Sequence, residues 1–321
     1  MPKTLDVNTF LENDGVIFDV RSPGEFSHAH IPGAISLPLF SDDERARLGT
    51  CYKQESQRAA IDLGLDIVGP KLAEYIKKAR SLADGKTAKV HCWRGGMRST
   101  FVANALGSLN IPSCILEGGY KGFRNWALDI LAEPPPFTVV GGLTGSGKTA
   151  FLHELRSRGE QVIDLEGLAN HRGSSFGGIG QGPQPSTEHF ENMIAVELSG
   201  FDVTKPIFIE DESRLVGTCK VPDGIYSAIR TSPVKYIEKT LEERLDNIEK
   251  DYGSLPIEGL VAATERLHKK LGGARTQEAV RFFQTGDFRS AVTIVLEYYD
   301  KTYRYGFGKR SEKATKHTGC I

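Results

Sequence analysis

Apolar and polar residues follow two regimes along the chain. In the first, short apolar runs alternate with helical patterns. Val16-Ile17-Phe18-Asp19-Val20 reads as a buried strand, and Leu72, Tyr75, Ile76, Ala79 and Leu82 recur at helical spacing. Lys89-Val90-His91-Cys92 reads as a strand ending at a glycine-containing turn, before a helix over 98–109. Such alternation predicts a parallel sheet. Pro134-Pro135-Pro136 then forbids helix and holds the chain extended. A domain over 1–133 and a second over 137–321 are therefore expected. The second opens on the strand Phe137-Thr138-Val139-Val140, followed by a helix over 148–158 and strands over 161–165 and 206–209. Beyond these the pattern turns helical. Leu241, Leu245 and Ile248 mark one face, Leu260, Ala263, Leu267 and Leu271 another, and Ala291, Ile294, Val295 and Tyr298 a third. The fold class expected is α/β, with a helical C-terminal part.

Composition narrows the class. A chain of 321 residues with 39% hydrophobic and 25% charged positions is ordinary for a globular protein of two domains. No apolar run approaches the roughly 18–20 residues of a membrane helix, and MPKTLDVNTF lacks the apolar core of a signal peptide. Cys51, Cys92, Cys114, Cys219 and Cys320 show no CxxC spacing, which argues against a zinc ribbon or a disulfide scaffold. A cytoplasmic protein without membrane contact is expected. The net charge of −1 is uneven, since residues 301–321 hold six basic residues and one acidic one. Tyr298, Tyr299, Tyr303, Tyr305 and Phe307 interleave there with Lys301, Arg304, Lys309, Arg310, Lys313 and Lys316, a pattern suited to single-stranded RNA. The helix around Arg266, Lys269 and Lys270 is the alternative basic surface.

Cys92-Trp93-Arg94-Gly95-Gly96-Met97-Arg98-Ser99 falls between a strand and a helix, where backbone N–H groups can form an anion nest. A thiolate is stabilised there, and Arg94 and Arg98 add positive charge, so Cys92 is a candidate nucleophile. Asp19-Val20-Arg21-Ser22-Pro23-Gly24-Glu25-Phe26, His30-Ile31-Pro32-Gly33-Ala34 and Glu117-Gly118-Gly119-Tyr120 accompany it in order. With these motifs the first domain resembles the rhodanese-like sulfurtransferases, although Ala29 stands where that pattern usually has glycine. Five residues separate Cys92 from Arg98, as in cysteine-dependent phosphatases, and a loop of that length suits a tetrahedral phosphate-like group. A phosphoester would fit, and so would selenophosphate, its selenium passing to Cys92 as a perselenide while phosphate departs.

Gly142-Leu143-Thr144-Gly145-Ser146-Gly147-Lys148-Thr149 matches GxxxxGK[ST] between a strand and a helix, the context of a P-loop NTPase-like domain. The backbone from Gly142 through Thr144, Gly145, Ser146 and Gly147 is expected to cradle a diphosphate. Lys148 neutralises it, and the Thr149 hydroxyl faces a candidate Mg2+ ion. Glu210 or Asp211, after Ile207-Phe208-Ile209, is the candidate second acid. No NKxD motif appears, which argues against a GTPase. His171-Arg172-Gly173-Ser174-Ser175-Phe176-Gly177-Gly178 is a candidate substrate loop, through His171, Arg172, Ser174 and Ser175.

Taken together, the two halves resemble a family of bacterial tRNA-modifying transferases in which a rhodanese domain precedes a P-loop domain. The likeness extends to Gly49-Thr50-Cys51-Tyr52-Lys53-Gln54, Gly119-Tyr120-Lys121 and Glu210-Asp211-Glu212-Ser213-Arg214. It implies replacement of sulfur by selenium in wobble 2-thiouridine, on the anticodon loop of tRNA, with selenophosphate as donor. It also implies an S-geranyl intermediate made with geranyl diphosphate, and no tightly bound cofactor. Two alternatives stand beside it: a cysteine phosphatase or sulfurtransferase fused to a P-loop kinase or NTPase, and a non-catalytic regulatory protein.

Overall fold

The computed structural model describes residues 2–310, so Lys313, Lys316 and Cys320 lie outside the described residues. Two compact units divide the chain, Met1–Asp129 and Ile130–Ile321. Both are α/β.

The first unit holds strands β1 (Lys3–Leu5), β2 (Val16–Asp19), β3 (Ile35–Ser36), β4 (Ala88–His91) and β5 (Ser113–Leu116). They form one parallel sheet in the order β1-β5-β4-β2-β3. β4 is central and buried along its whole length, as parallel strands covered on both faces must be. Phe18, Val20, Val90, Val102, Leu106 and Ile115 make its core, to which the Leu72–Ala83 helix adds Ile76 and Ala79. The Asp42–Gln54 helix starts at a capping box, in which Ser41 Oγ accepts from the Glu44 N–H while the Glu44 carboxylate accepts from the Ser41 N–H.

The second unit builds a parallel sheet from β6 (Thr138–Gly141), β7 (Gln161–Ile163), β8 (Ile207–Glu210) and β11 (Val234–Tyr236), ordered β11-β6-β8-β7. Strands β9 (Leu215–Val216) and β10 (Cys219–Lys220) pair separately as an antiparallel hairpin. The P-loop therefore leaves a central strand, and the acids sought after β8 emerge at the same sheet edge. Ligands of open parallel sheets gather at that edge. The helical remainder packs on its own core, in which Phe176 of the glycine-rich loop joins Leu245, Ile248, Leu260, Phe283 and Val295.

The sequence pattern overran at element ends: the strand expected over 161–165 stops at Ile163, and Leu165 opens a short helix, Leu165–Leu168. Leu260 to Leu271 read as one face, but Leu267 turns to φ −86°, ψ 1°, and two helices, Ile257–Arg266 and His268–Leu271, meet there. Burial of Leu267 keeps the apolar spacing although the helix is broken.

Candidate functional site: two anion loops

The Cys92 loop joins β4 to the Met97–Gly107 helix, so its backbone opens at a helix N-terminus. Cys92 is buried, with Sγ 3.3 Å from Ser99 Oγ. Burial works to raise the thiol pKa. It is outweighed by the Ser99 hydroxyl and N–H, the charge of Arg98 and the Arg94 N–H, leaving the thiol below its ordinary value. Ser99 was not singled out in the sequence, because a helix serine gives no signal until the turn brings it under the thiol. Arg94 acts through its amide, its side chain being exposed, whereas Arg98 acts through its charge. No other described cysteine resembles it. Burial leads in pushing Cys51, Cys114 and Cys219 up.

The flanking motifs hold this loop in shape. The Tyr120 N–H donates to the Cys92 carbonyl at 2.8 Å, and the Lys121 N–H to that of Trp93 at 2.9 Å. Gly119 makes this approach possible: its φ is +57°, and a Cβ there would stand 2.4 Å from the Cys92 carbonyl oxygen. Arg21 lies buried 3.7 Å over the Tyr120 ring, bonded to Asp19 at 2.6 Å and to the Ala29 carbonyl at 2.7 Å. His91, fully buried beside Asp19, is pushed down to about 4 by burial above all, and so is neutral at pH 7.

The second loop joins β6 to the Lys148–Ser157 helix. Lys148 Nζ donates to the Gly142 carbonyl at 2.9 Å, and the Ser146 N–H closes onto Leu143. The loop is braced from the Leu241–Tyr252 helix, where Arg244 donates to the Thr144 carbonyl at 2.8 Å and Asn247 to that of Gly145 at 2.8 Å. Arg244 is itself fixed by a bidentate pair with Asp300. The Gly142 N–H does not face an open cradle. It donates to the Tyr303 hydroxyl at 3.0 Å, and that hydroxyl donates to Asp211 at 2.8 Å.

Acids surround Lys148 and Thr149. The Thr149 hydroxyl donates to Glu166 at 2.9 Å, and the Glu166 N–H donates to Glu210 at 2.6 Å. Burial raises all three of Glu166, Glu210 and Glu212, and neighbouring carboxylates add to it. Glu212 reaches about 8, while Lys148 works in the opposite direction on Glu166 and Glu212. Of the two acids expected after β8, Glu210 faces this cluster and Asp211 does not. Asp211 is engaged by Tyr303, Arg310 and Arg230. Glu166 was missed, since it adjoins no motif, and Glu212 stood within Glu210-Asp211-Glu212-Ser213-Arg214 without an assigned role.

The glycine-rich loop comes to the same cluster. A Cβ on Gly173, at φ +67°, would stand 2.4 Å from Glu166 Oε1 and 3.1 Å from Glu212, so the backbone passes directly over the acids. Arg172 donates to the Asp251 carbonyl at 2.9 Å and faces the Tyr252 ring. Ser174 Oγ accepts from the Phe176 N–H, and the Ser175 N–H donates to Tyr299. His171 Nδ1 is buried without a hydrogen-bond partner, and burial lowers the ring's pKa.

The aromatic and basic tail is not an open RNA stripe. Tyr303 is spent on the P-loop, Phe307 stacks on it at 6.0 Å, and Arg310 is buried against Asp211 and the Ile229 carbonyl. Tyr298 and Tyr299 pack on the helical core. Lys301, Arg304, Tyr305 and Lys309 stay exposed, as do Arg266, Lys269 and Lys270.

A family model described as the rhodanese-like domain matches residues 5–125, and one described as the tRNA 2-selenouridine synthase AAA domain matches 135–264. A protein of Pseudomonas syringae pv. syringae (strain B728a) named tRNA 2-selenouridine synthase is 36% identical, across 97% of this chain and 93% of its own. One of the same name from Aeromonas salmonicida (strain A449) is 34% identical over 98% and 93%. Another from Marinobacter nauticus (strain ATCC 700491 / DSM 11845 / VT8) is 35% identical over 95% and 91%. Among the described residues no helix is long and apolar enough to cross a membrane, and no group of three or more His, Cys, Asp or Glu is placed to hold a metal by itself.

Proposed function

Because the chain belongs to the tRNA 2-selenouridine synthase family, we propose that it converts wobble 2-thiouridine to 2-selenouridine in two redox-neutral steps, one at each anion loop. The observation that carries this reading is the pairing of a thiolate loop sized for tetrahedral phosphorus with a separate lysine-bearing diphosphate loop. A nucleotide triphosphate has no role in it.

A thiocarbonyl sulfur is a poor leaving group, whereas an S-alkylated base is electrophilic at C2. In the first step the 2-thiouridine sulfur attacks C1 of geranyl diphosphate. The carbon–oxygen bond breaks, diphosphate leaves with the electron pair, and the base loses its N3 proton. Lys148 turns from the Gly142 carbonyl to the departing charge, which the loop amides share. Thr149 and the buried Glu210, whose Oε2 lacks a hydrogen-bond partner, are the residues that would hold a Mg2+ ion. Such an ion would supply further charge against the diphosphate. No tightly bound cofactor enters the scheme.

In the second step the Cys92 thiolate attacks the phosphorus of selenophosphate. A sulfur–phosphorus bond forms, the phosphorus–selenium bond breaks, and hydrogen selenide anion leaves with the pair. It adds to C2 and expels geranyl thiolate, which takes up a proton. Water then hydrolyses the phosphocysteine to phosphate and free thiol. Selenium stays at the selenide level throughout. A perselenide on Cys92 would leave the electron pair on phosphorus, giving phosphite, or would require an oxidant, so electron balance directs the thiolate to phosphorus. Mass spectrometry of nucleosides from tRNA incubated with the protein, geranyl diphosphate and selenophosphate tests the reading. S-geranyl-2-thiouridine should appear without selenophosphate and 2-selenouridine with it. Absence of both products overturns the proposal, and ATP hydrolysis in their place would favour the kinase alternative.

A further inference from the structure

The motif Gly49-Thr50-Cys51-Tyr52-Lys53-Gln54 takes no part in either loop, yet most of it has a common destination. Gly49, Thr50, Tyr52 and Lys53 line a cleft of about 690 Å³ in the first unit. The Asp42–Gln54 and Gln57–Val68 helices form its sides, and Met97, Arg98 and Phe101 close it from the start of the helix that follows the Cys92 loop. Its size lies within the ~300–1,000 Å³ of small-molecule sites. Large apolar side chains of the lining reach water beside the polar Arg45, Lys53 and Gln57: Tyr52, Ile61, Leu65 and Met97 are 55%, 40%, 54% and 56% exposed. Large apolar side chains left in water along a cleft mark a ligand surface.

Charge fixes the orientation of the occupant. Arg45 and Arg98 both line the cleft and both approach Glu25 at 3.7 Å, so the cations stand together. Arg98 is also the residue whose charge favours the Cys92 thiolate. A ligand held here therefore has an apolar part among Ile61, Leu65 and Phe101 and a polar or anionic part beside the thiol. The cleft shares no residue with the P-loop. We propose that this cleft binds the ten-carbon prenyl chain of the S-geranylated nucleotide, seating C2 of the base at the Cys92 loop for the selenium step. The inference rests on the two-step reading above and adds the place where its intermediate is recognised. It also gives the chain a second use, as a handle that distinguishes the activated base from unmodified 2-thiouridine.

The test uses the full chain with Ile61→Asp and Leu65→Asp, both at partly exposed positions where the fold tolerates a polar residue. Titration calorimetry with S-geranyl-2-thiouridine nucleoside should show binding to the wild type and a loss of roughly 10-fold or more in each variant, since even one methylene in an apolar pocket is worth about 10–200-fold. S-methyl-2-thiouridine should bind weakly and equally to all three. Selenation of pre-geranylated tRNA should fall with the nucleoside affinity, while geranylation from geranyl diphosphate stays at the wild-type rate. Equal nucleoside binding by wild type and variants, or none by the wild type, overturns the cleft. So does a wild-type dimer that Leu65→Asp dissociates, which would make the cleft a self-association surface. The nucleoside titration reads the cleft even where the wild type makes no S-geranyl tRNA, so failure of the two-step reading is seen separately.

Discussion

The two loops use one backbone device under opposite electrostatics. Each leaves a parallel strand and opens at a helix N-terminus. Around Cys92 the fold places Arg98 and hydrogen-bond donors, so the loop stabilises an anion that the protein itself carries. Around Lys148 it places Glu166, Glu210 and Glu212, whose carboxyls burial and mutual repulsion push upward, and Lys148 is turned onto its own loop carbonyl. The surroundings of the first loop favour a thiolate, while the cation of the second loop rests on a backbone carbonyl among acids. The same supersecondary motif thus says little about chemistry until the neighbouring strands are known.

The contrast is broken most severely at the nucleophile. Cys92→Ala should reduce selenation to background while geranylation proceeds, and nucleoside mass spectrometry should show S-geranyl-2-thiouridine accumulating. Normal selenouridine output would remove the thiolate from the scheme. At the second loop, Lys148→Ala should slow geranylation on the order of 100-fold or more, and pre-geranylated tRNA should restore selenation. Failure of that rescue would give Lys148 a role in the fold or in tRNA binding instead.

Arg310 sharpens the comparison through stability. Its pair with Asp211 is buried, and Asp211 also takes the Tyr303 hydroxyl that satisfies the Gly142 N–H. Arg310→Ala should cost about 3–5 kcal/mol in denaturant unfolding of the second unit and weaken geranyl diphosphate binding, although residue 310 lies far from the loop in sequence. Undiminished stability would mean that the tail is not anchored at the P-loop.

Acidity should move the two sites in opposite directions. The Cys92 thiol lies below 9.0 in the folded protein, so the acid limb of selenation should too. Ser99→Ala removes a donor to the thiolate, raises the thiol pKa and should shift that limb upward, lowering the rate at pH 7. Glu212 has its carboxyl raised from 4.5 to about 8. Between those values the native protein holds a proton that the unfolded chain has lost, so Glu212 makes stability fall as pH rises through the window. Glu212→Gln should flatten that slope in unfolding curves recorded from pH 5 to 8.

The smallest effects belong to the exposed cations. Each of Lys301, Arg304 and Lys309 that meets a tRNA phosphate should flatten the salt dependence of binding by roughly 0.7–0.9 log unit per log unit of salt when changed to alanine. If none does, the search moves to Arg266, Lys269 and Lys270.

Periodicity and punctuation determined the frame. Apolar runs of strand length, helical spacing over Leu72–Leu82 and Leu241–Ile248, and a proline block were enough to give an α/β architecture, because each reflects interactions within a few residues. The cysteine loop and P-loop were legible for the same reason, as each is one contiguous strand–turn–helix. What the sequence could not supply was anything made by residues distant along the chain. Glu166 and Glu212 beside Lys148, and the choice of Glu210 over Asp211, follow from which strand lies next to which. The tail is the clearest case. Tyr303 and Arg310 have the composition of an RNA-binding stripe, yet burial of their polar atoms requires partners, and only the tertiary fold brings Gly142 and Asp211 to them.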